Sequence, residues 1–416
     1  MIVKNAPNRP NKYFFKFVKF VLKMYLKRKS IIEVDLNETK YLNPPYLVVG
    51  NHVNNWDPIL VNLYVDESIA FVSADRFFRG TMLRKILNYM GAIPKTKFKP
   101  DFSTVKTLLH AKKDKRVIGI FPEGSRNWDG NTKEIIYSTV KLIKTLKIPV
   151  IAVKLKGSYL SEPRWSSSHR KGKILISYKK ILSESDIPNL SENEINQTLI
   201  SALFHDEYEF QKKYMFSYKG KNLAEHLELL LFTCPNCKSI DTMKSKINTF
   251  YCEKCHYKTI YTEKGLFKPE NQPLIFDNPR DWNIWQIKNL NSLIKTSQTY
   301  SQLSKELIFL NNNNATLYRD TNNKLIPINT GDIRLTPDYF YFLSDNHEKI
   351  IFYFNKILGL NIQSNNMIEF YYNDKLHRVT FRNPRTSAYK WVNALNICKK
   401  KELEKNNNKK RKVNYE

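Results

Sequence analysis

The stretch YLVVGNHVNNWDP, residues 46–58, runs from five residues of strand character into a polar turn and then into Asp57-Pro58. A parallel α/β fold produces this passage at the carboxyl end of a strand, which is where such folds place their sites. His52 falls just past the strand. Asp57 precedes a proline and so avoids the helical region, which predicts it as the N-cap of a helix whose first residue is Pro58. The same turn can instead fold the carboxylate back onto the imidazole. Asp57 would then fix the His52 tautomer, leaving the other ring nitrogen to take a proton from a hydroxyl. The spacing alone leaves both readings open.

Outward from this stretch, strand-like and helix-like runs alternate. YLVVG (46–50), SIAFVSA (68–74), RVIGIF (116–121), IPVIAVKL (148–155) and KILISY (173–178) are the expected strands. ILVNLYV, MLRKILNYM, STVKTLLHAKK and TKEIIYSTVKLIKTL are the expected helices between most of them. The alternation predicts an α/β domain with a mostly parallel sheet over residues 31–228, whose last part, 190–228, reads as helical.

A second strand-to-turn passage, VIGIFPEGSRNWDG, occupies residues 117–130. Its turn offers an acceptor in Glu123, a close backbone approach in Gly124, a hydroxyl in Ser125 and a guanidinium fork suited to a phosphate in Arg126. Taken singly, PEG is also an ordinary turn and Arg126 an ordinary surface cation.

Taken together, NHxxxxD and FPEGSR some seventy residues later resemble the lysophospholipid acyltransferase family, whose best-known class is 1-acyl-sn-glycerol-3-phosphate acyltransferase. GAIPKTK (91–97) is similar to the family's acceptor-binding segment, with Lys97 where arginine is usual. IPVIAV (148–153) is similar to its fourth block, with Ala152 where a second proline is common. The resemblance covers roughly residues 45–215. It implies acyl transfer from a thioester, either acyl-CoA or acyl carrier protein, to the hydroxyl of a lysophospholipid such as lysophosphatidate. In that reading His52 is the general base and Asp57 its orienter. Glu123, Gly124, Ser125 and Arg126 place the acceptor, and Lys95, Lys97 and Arg126 are candidates for its phosphate. No catalytic cofactor is implied. Lysine at 97 offers a point charge rather than a bidentate fork.

The formal net charge of +29 favours a polyanionic partner, either nucleic acid or an anionic membrane surface. No apolar run reaches the roughly 18–20 residues that a membrane-spanning helix needs. Residues 1–30 lack any acidic group, and Lys12, Lys16, Lys19, Lys23 and Lys27 recur at helical steps against an apolar arc. This pattern predicts a basic amphipathic helix, lying on a membrane surface or packed on its own domain. The expected location is cytoplasmic and peripheral, on the inner face of the membrane.

Beyond residue 228, Cys234-Pro-Asn-Cys237 and Cys252-Glu-Lys-Cys255 stand fourteen residues apart, the spacing of a zinc ribbon over 229–265. The expected cofactor is therefore a structural Zn2+ held by Cys234, Cys237, Cys252 and Cys255. Cys398 is expected in a core. A helical linker (266–300) should lead into seven short strands over 301–400: KELIFL, ATLYRD, KLIPI, YFYFLS, KIIFYF, MIEFYY and HRVTF. With a final helix as cap, these suggest a β-rich barrel-like domain of pleckstrin-homology type, a docking module with or without a lipid ligand. Residues 401–416 read as a disordered basic tail. Two other functional readings stand beside acyl transfer. One is a basic zinc-ribbon nucleic-acid-binding protein, although no nucleic-acid reading motif accompanies the charge. The other is an idle scaffold on the same fold.

Overall fold

The computed structural model describes residues 7–78, 80–95, 102–300, 308–321 and 324–413, which divide into two compact units. The first comprises the residues up to Leu223 together with Thr262–Leu266. Its strands are β1 (Ile31–Asn37), β2 (Tyr46–Gly50), β3 (Ile69–Ala74), β4 (Ile93–Lys95), β5 (Val117–Ile120), β6 (Val150–Lys156) and β7 (Lys173–Leu182). Its helices are α1 (Lys12–Lys29), α2 (Asp57–Asn62), α3 (Thr81–Met90), α4 (Phe102–Lys113), α5 (Ser138–Leu146), α6 (Ser158–Ser161), α7 (Asp186–Asn189), α8 (Glu192–Leu203) and α9 (Glu207–Tyr214).

The strands form one sheet in the order β1-β7-β6-β2-β5-β3-β4. All pairings are parallel except β6 with β7. β2 lies at the centre with all five residues buried, as a strand covered on both faces must be. Leu47 and Val49 face one core, built with α4, α5 and α8. Tyr46 and Val48 face the other, with Leu26 of α1 and Leu60 and Val61 of α2. The domain is thus a three-layer α/β/α fold, as the alternating pattern predicted.

Some boundaries differ from expectation. Residues 132–137 of the expected helix TKEIIYSTVKLIKTL are irregular, because the turn is pinned by hydrogen bonds before α5 starts at Ser138. Between Tyr214 and the 3-10 turn at Leu227–Leu229 there is no helix. β1 and β4 went unread because IIEVDLN is half polar and IPK is only three residues long.

The N-terminal helix forms, and its charged stripe divides: Lys12, Lys16 and Lys27 are exposed, whereas Lys19 and Lys23 are partly buried. Lys19 Nζ donates to the Val65 carbonyl at 2.6 Å, and Lys23 lies over the Tyr64 ring at 5.0 Å. Phe15 and Leu26 are buried. Tyr13, Phe14, Phe17, Phe20, Val21 and Met24 are left exposed.

The second unit contains Ala224–Tyr261 and the residues from Phe267 onward. Its first sheet comprises β8 (Met243–Lys246), β9 (Thr249–Cys252), β10 (Lys258–Tyr261) and β11 (Phe267–Pro269), in the order β11-β10-β9-β8. The expected linker holds β11 and then helix α10 (Pro279–Tyr300). Seven antiparallel strands follow: β12 (Leu310–Thr321), β13 (Lys324–Leu335), β14 (Tyr339–Ser344), β15 (Lys349–Tyr353), β16 (Ile357–Ile362), β17 (Met367–Tyr372) and β18 (Lys375–Phe381). The count matches expectation but the membership does not. β12 is one long strand that takes in ATLYRD, and ILGLNI, unread in the sequence, supplies β16. The order β15-β14-β13-β12-β18-β17-β16 leaves β15 and β16 as edges, so the sheet is a half-barrel. Its apolar face is filled by α10 and by the last helix, α11 (Ala388–Val413), including a buried Cys398.

α11 runs through residues 401–413, which were expected to be a disordered tail. The Lys, Glu and Leu residues of KKKELEK are good helix formers, and they continue a helix already nucleated against the sheet.

Candidate active site

The turn after β2 places His52, and a single carboxylate organises it. Asp57 is fully buried, and its Oδ2 accepts from His52 Nδ1 at 2.8 Å, Val53 N–H at 2.6 Å and Asn54 N–H at 2.9 Å. The expected N-cap role is therefore corrected. Asp57 is the first residue of α2, the cap position is Trp56, and no side chain caps the helix. With Oδ2 given to three donors upstream, the carboxylate cannot reach the helix's own free N–H groups. Its Oδ1 accepts from Ser158 Oγ at 3.5 Å, and that hydroxyl in turn accepts from Asn54 Nδ2 at 2.9 Å.

With Nδ1 bound to Asp57, the proton on that nitrogen leaves Nε2 as the basic atom. Nε2 has no hydrogen-bond partner among the described residues, and the side chain is 20% exposed. The ring stacks on Phe121, centroids 4.5 Å apart, and Phe121 stacks on Phe71. Gly50 leaves room for this stack, since a Cβ there would lie 3.1 Å from the Phe121 ring. Burial lowers the affinity of His52 for a proton, and Asp57 offsets part of that effect. The positive charges of Arg126 and Arg164 act in the same direction as burial.

The two motifs are joined backbone to side chain. Glu123 Oε1 accepts from His52 N–H at 2.6 Å and Oε2 from Lys133 N–H at 2.9 Å. The His52 carbonyl accepts from Asn127 N–H at 2.9 Å. Burial pushes the Glu123 carboxyl up to about 7, against these two N–H groups, which favour its charged form. Gly124 turns at φ +65°, where a Cβ would strike Ile136 at 2.5 Å, so glycine is required. Ser125 Oγ accepts from Lys133 Nζ at 3.1 Å.

Arg126 is half-buried near His52 and Asp57, while Arg164 donates to the Arg126 carbonyl at 3.1 Å and lies over Trp128 at 4.4 Å. Two guanidinium groups thus bear on the imidazole. Arg164 was missed in the sequence because nothing in its local spacing links it to His52. Ser158 was missed for the same reason, and with it the role of Asn54, whose side chain donates to Ser158. Lys95 ends the edge strand β4, three strands from β2, or about 14 Å by strand spacing. It has no contact with His52 or Glu123. Lys97 lies outside the described residues.

In the second unit, Cys234, Cys237, Cys252 and Cys255 bring their sulfur atoms within 4.8 Å of one another. Cys234 and Cys255 are 3.6 Å apart, and Cys237 and Cys252 are 3.7 Å apart. A tetrahedron of thiolates at about 2.3 Å from zinc has edges of about 3.8 Å, so the donor set fits such an ion. These four residues could hold a metal.

Residues 31–156 match the family model described as Acyltransferase. That span opens at the first residue of β1 and closes at the last of β6. Among solved structures, the chain is similar to the 1-acyl-sn-glycerophosphate (LPA) acyltransferase PlsC from Thermotoga maritima, at 19% identity and a TM-score of 0.41. The likeness covers 46% of this chain and 77% of that one. No curated protein matches the chain. Over the span that carries His52, Asp57 and the Glu123 turn, the chain is thus similar to the acyltransferase family.

Proposed function

We propose that the chain is an O-acyltransferase that moves a fatty acyl group from a thioester to the hydroxyl of a lysophospholipid, with lysophosphatidate as the preferred acceptor. The observation that carries this reading is the His52–Asp57 pair, held at 2.8 Å with Nε2 unengaged and locked to the Glu123 turn. In this reaction the acceptor hydroxyl gives its proton to His52 Nε2 while its oxygen attacks the thioester carbon. The carbon–sulfur bond then breaks, and the thiolate takes the proton from the imidazolium, which Asp57 stabilises in the interval. Glu123 and Gly124 set the turn, Ser125 anchors Lys133, and Arg126 with Arg164 receives the acceptor phosphate. Lys95, at the end of β4, serves at most the outer end of the acceptor path. Zn2+ in the four-cysteine site is structural.

The acceptor lives in a membrane, and the exposed rings of α1 above a chain of net charge +29 suit an anionic membrane surface. No described helix is long and apolar enough to cross a membrane. The expected setting is peripheral, on the cytoplasmic face, and no specific nucleic-acid partner is needed to account for the charge.

The test is acyl transfer by purified protein to 1-acylglycerol-3-phosphate, followed by mass spectrometry, with wild type beside His52→Ala. Diacyl product from wild type and none from the variant is expected. Equal product from both would overturn the mechanism.

A further inference from the structure

His52 and Phe121 leave their strands in the same way. Gly50-Asn51-His52 ends β2 and Gly119-Ile120-Phe121 ends β5, each with a glycine two residues before the ring. Alternation along a strand puts residues i and i+2 on one face, so each glycine lies on the face that its ring occupies. β2, β5 and β3 are neighbours in the sheet. Gly119 stands in register between Val48 of β2 and Phe71 of β3.

Each glycine is covered by a ring from the next strand. A Cβ on Gly119 would lie 2.5 Å from the Phe71 ring, closer than side-chain contacts allow. A Cβ on Gly50 would lie 3.1 Å from the Phe121 ring. Phe71 of β3 therefore leans over β5, and Phe121 after β5 leans over β2. The rings climb one strand at a time and stay nearly parallel. Phe71 and Phe121 have centroids 5.4 Å apart at an interplanar angle of 6°, and Phe121 and His52 are 4.5 Å apart at 22°. Phe71 is buried in the core that β2 shares with α1 and α2. The staircase thus runs from a packed core to the imidazole.

A general base needs what this arrangement supplies. The bond from Nδ1 to Asp57 fixes one edge of the His52 ring, but a hydrogen bond tolerates a broad range of angles. A phenyl ring laid against one face fixes the plane as well, and with it the direction of Nε2. The phenyl also keeps water from that face and offers its π cloud to the imidazolium once the proton arrives. The charged groups that bear on His52 are Asp57, Arg126 and Arg164, and changes among the phenyl rings leave all three in the sequence.

We propose that Phe121 and Phe71 are positioning residues for His52, and that Gly50 and Gly119 are glycines because they seat these two rings. The proposal rests on the acyl-transfer reading and deepens it: the ring behind the base, and the ring behind that one, act on the rate through His52.

Two readouts on the full chain test the proposal. In the transfer assay, Phe121→Leu keeps the apolar bulk but loses the flat face, so kcat should fall about tenfold with KM for the lysophospholipid within about twofold of wild type. Phe121→Tyr keeps the face and should retain at least about half of the wild-type kcat, while Phe71→Leu, one ring further away, should lower kcat about threefold. Proton NMR of the His52 ring, assigned by its loss in His52→Gln, reads the same contact without turnover. Phe121→Leu should move the His52 Cε1–H resonance downfield, because the ring current of the stacked phenyl is gone, and Phe121→Tyr should leave it in place. Gly50→Ala, whose methyl presses on the Phe121 ring, should move the same resonance and carries the test if Phe121→Leu does not fold. A resonance that moves while kcat stays at the wild-type value would overturn the proposal and leave the acyl-transfer reading standing. A resonance that moves as expected in a chain that transfers no acyl group would overturn that reading and keep the seating of His52. An unmoved resonance, or equal loss of kcat in Phe121→Tyr and Phe121→Leu, would overturn the positioning role.

Discussion

Asp57 does two things that a pair of substitutions can separate. Its Oδ2 is the sole described acceptor for the Val53 and Asn54 N–H groups, and it also holds His52 Nδ1. In Asp57→Ala the two buried N–H groups lose their acceptor at about 1–3 kcal/mol each. The sum, about 2–6 kcal/mol, is a large part of the usual 5–15 kcal/mol of a folded domain. Loss of activity in that variant would therefore say little. Asp57→Asn keeps the shape, and its amide oxygen can stand where Oδ2 stood and accept from the same donors. What disappears is the charge that stabilises the imidazolium. The expected result is a urea midpoint close to wild type and a fall in kcat of about 10²–10⁴, the range of general-base contributions. Urea unfolding followed by circular dichroism, with initial rates at saturating acceptor on the same preparations, measures both. If Asp57→Asn keeps more than a tenth of the wild-type rate while Asp57→Ala unfolds, the carboxylate is only a turn-former and the dyad reasoning fails.

Four other outcomes are expected. Because burial lowers the pKa of His52 below its ordinary 6.5, kcat/KM should rise with pH to a plateau already reached near neutrality; a midpoint above 7 would contradict this. Glu123 has a folded value of about 7 against an ordinary 4.5, so its contribution to stability is full below 4.5 and lost as pH rises through 7. Glu123→Gln should flatten that stretch of the stability–pH curve. It should also cost about 1–3 kcal/mol, since an amide NH2 cannot accept from the second N–H. The purified chain should carry one equivalent of zinc by elemental analysis, and a strong chelator or Cys252→Ser should lower the unfolding temperature of the second unit; a stable metal-free chain would refute the assignment. Replacing Phe17, Phe20 and Met24 by serine should abolish co-sedimentation with anionic vesicles, each side chain being worth up to about 1.5–3 kcal/mol when buried. Unchanged sedimentation would exclude that face of α1.

The sequence revealed the layered domain because β2, β5 and residues 150–153 of β6 are almost wholly buried and so carry no polar side chain. It revealed the His52 and Glu123 turns because strand exits and turn residues are local. It did not reveal contacts that depend on crossing the sheet. Arg164 reaches the Arg126 carbonyl, and Ser158 reaches Asp57, from more than thirty residues away in one case and a hundred in the other. The direction of the lysines on α1 was also illegible. Periodicity separates a charged stripe from an apolar arc, but only the free carbonyl of Val65 decides that Lys19 turns inward. At Asp57 the residue type predicted a hydrogen-bonding turn correctly and its direction wrongly. The same carboxylate can accept from N–H groups on either side, and three donors upstream outnumber those downstream.

Glu123 hydrogen-bonds residues 52 and 133 through their amide N–H groups. Every amino acid except proline carries that group. The junction between the two turns therefore places almost no demand on which side chains its partners bear, while placing a strict one on Glu123 itself. The hydrogen bonds themselves would be silent in a search for co-varying pairs, although with Asn127 N–H on the His52 carbonyl they hold His52 to the Glu123 turn.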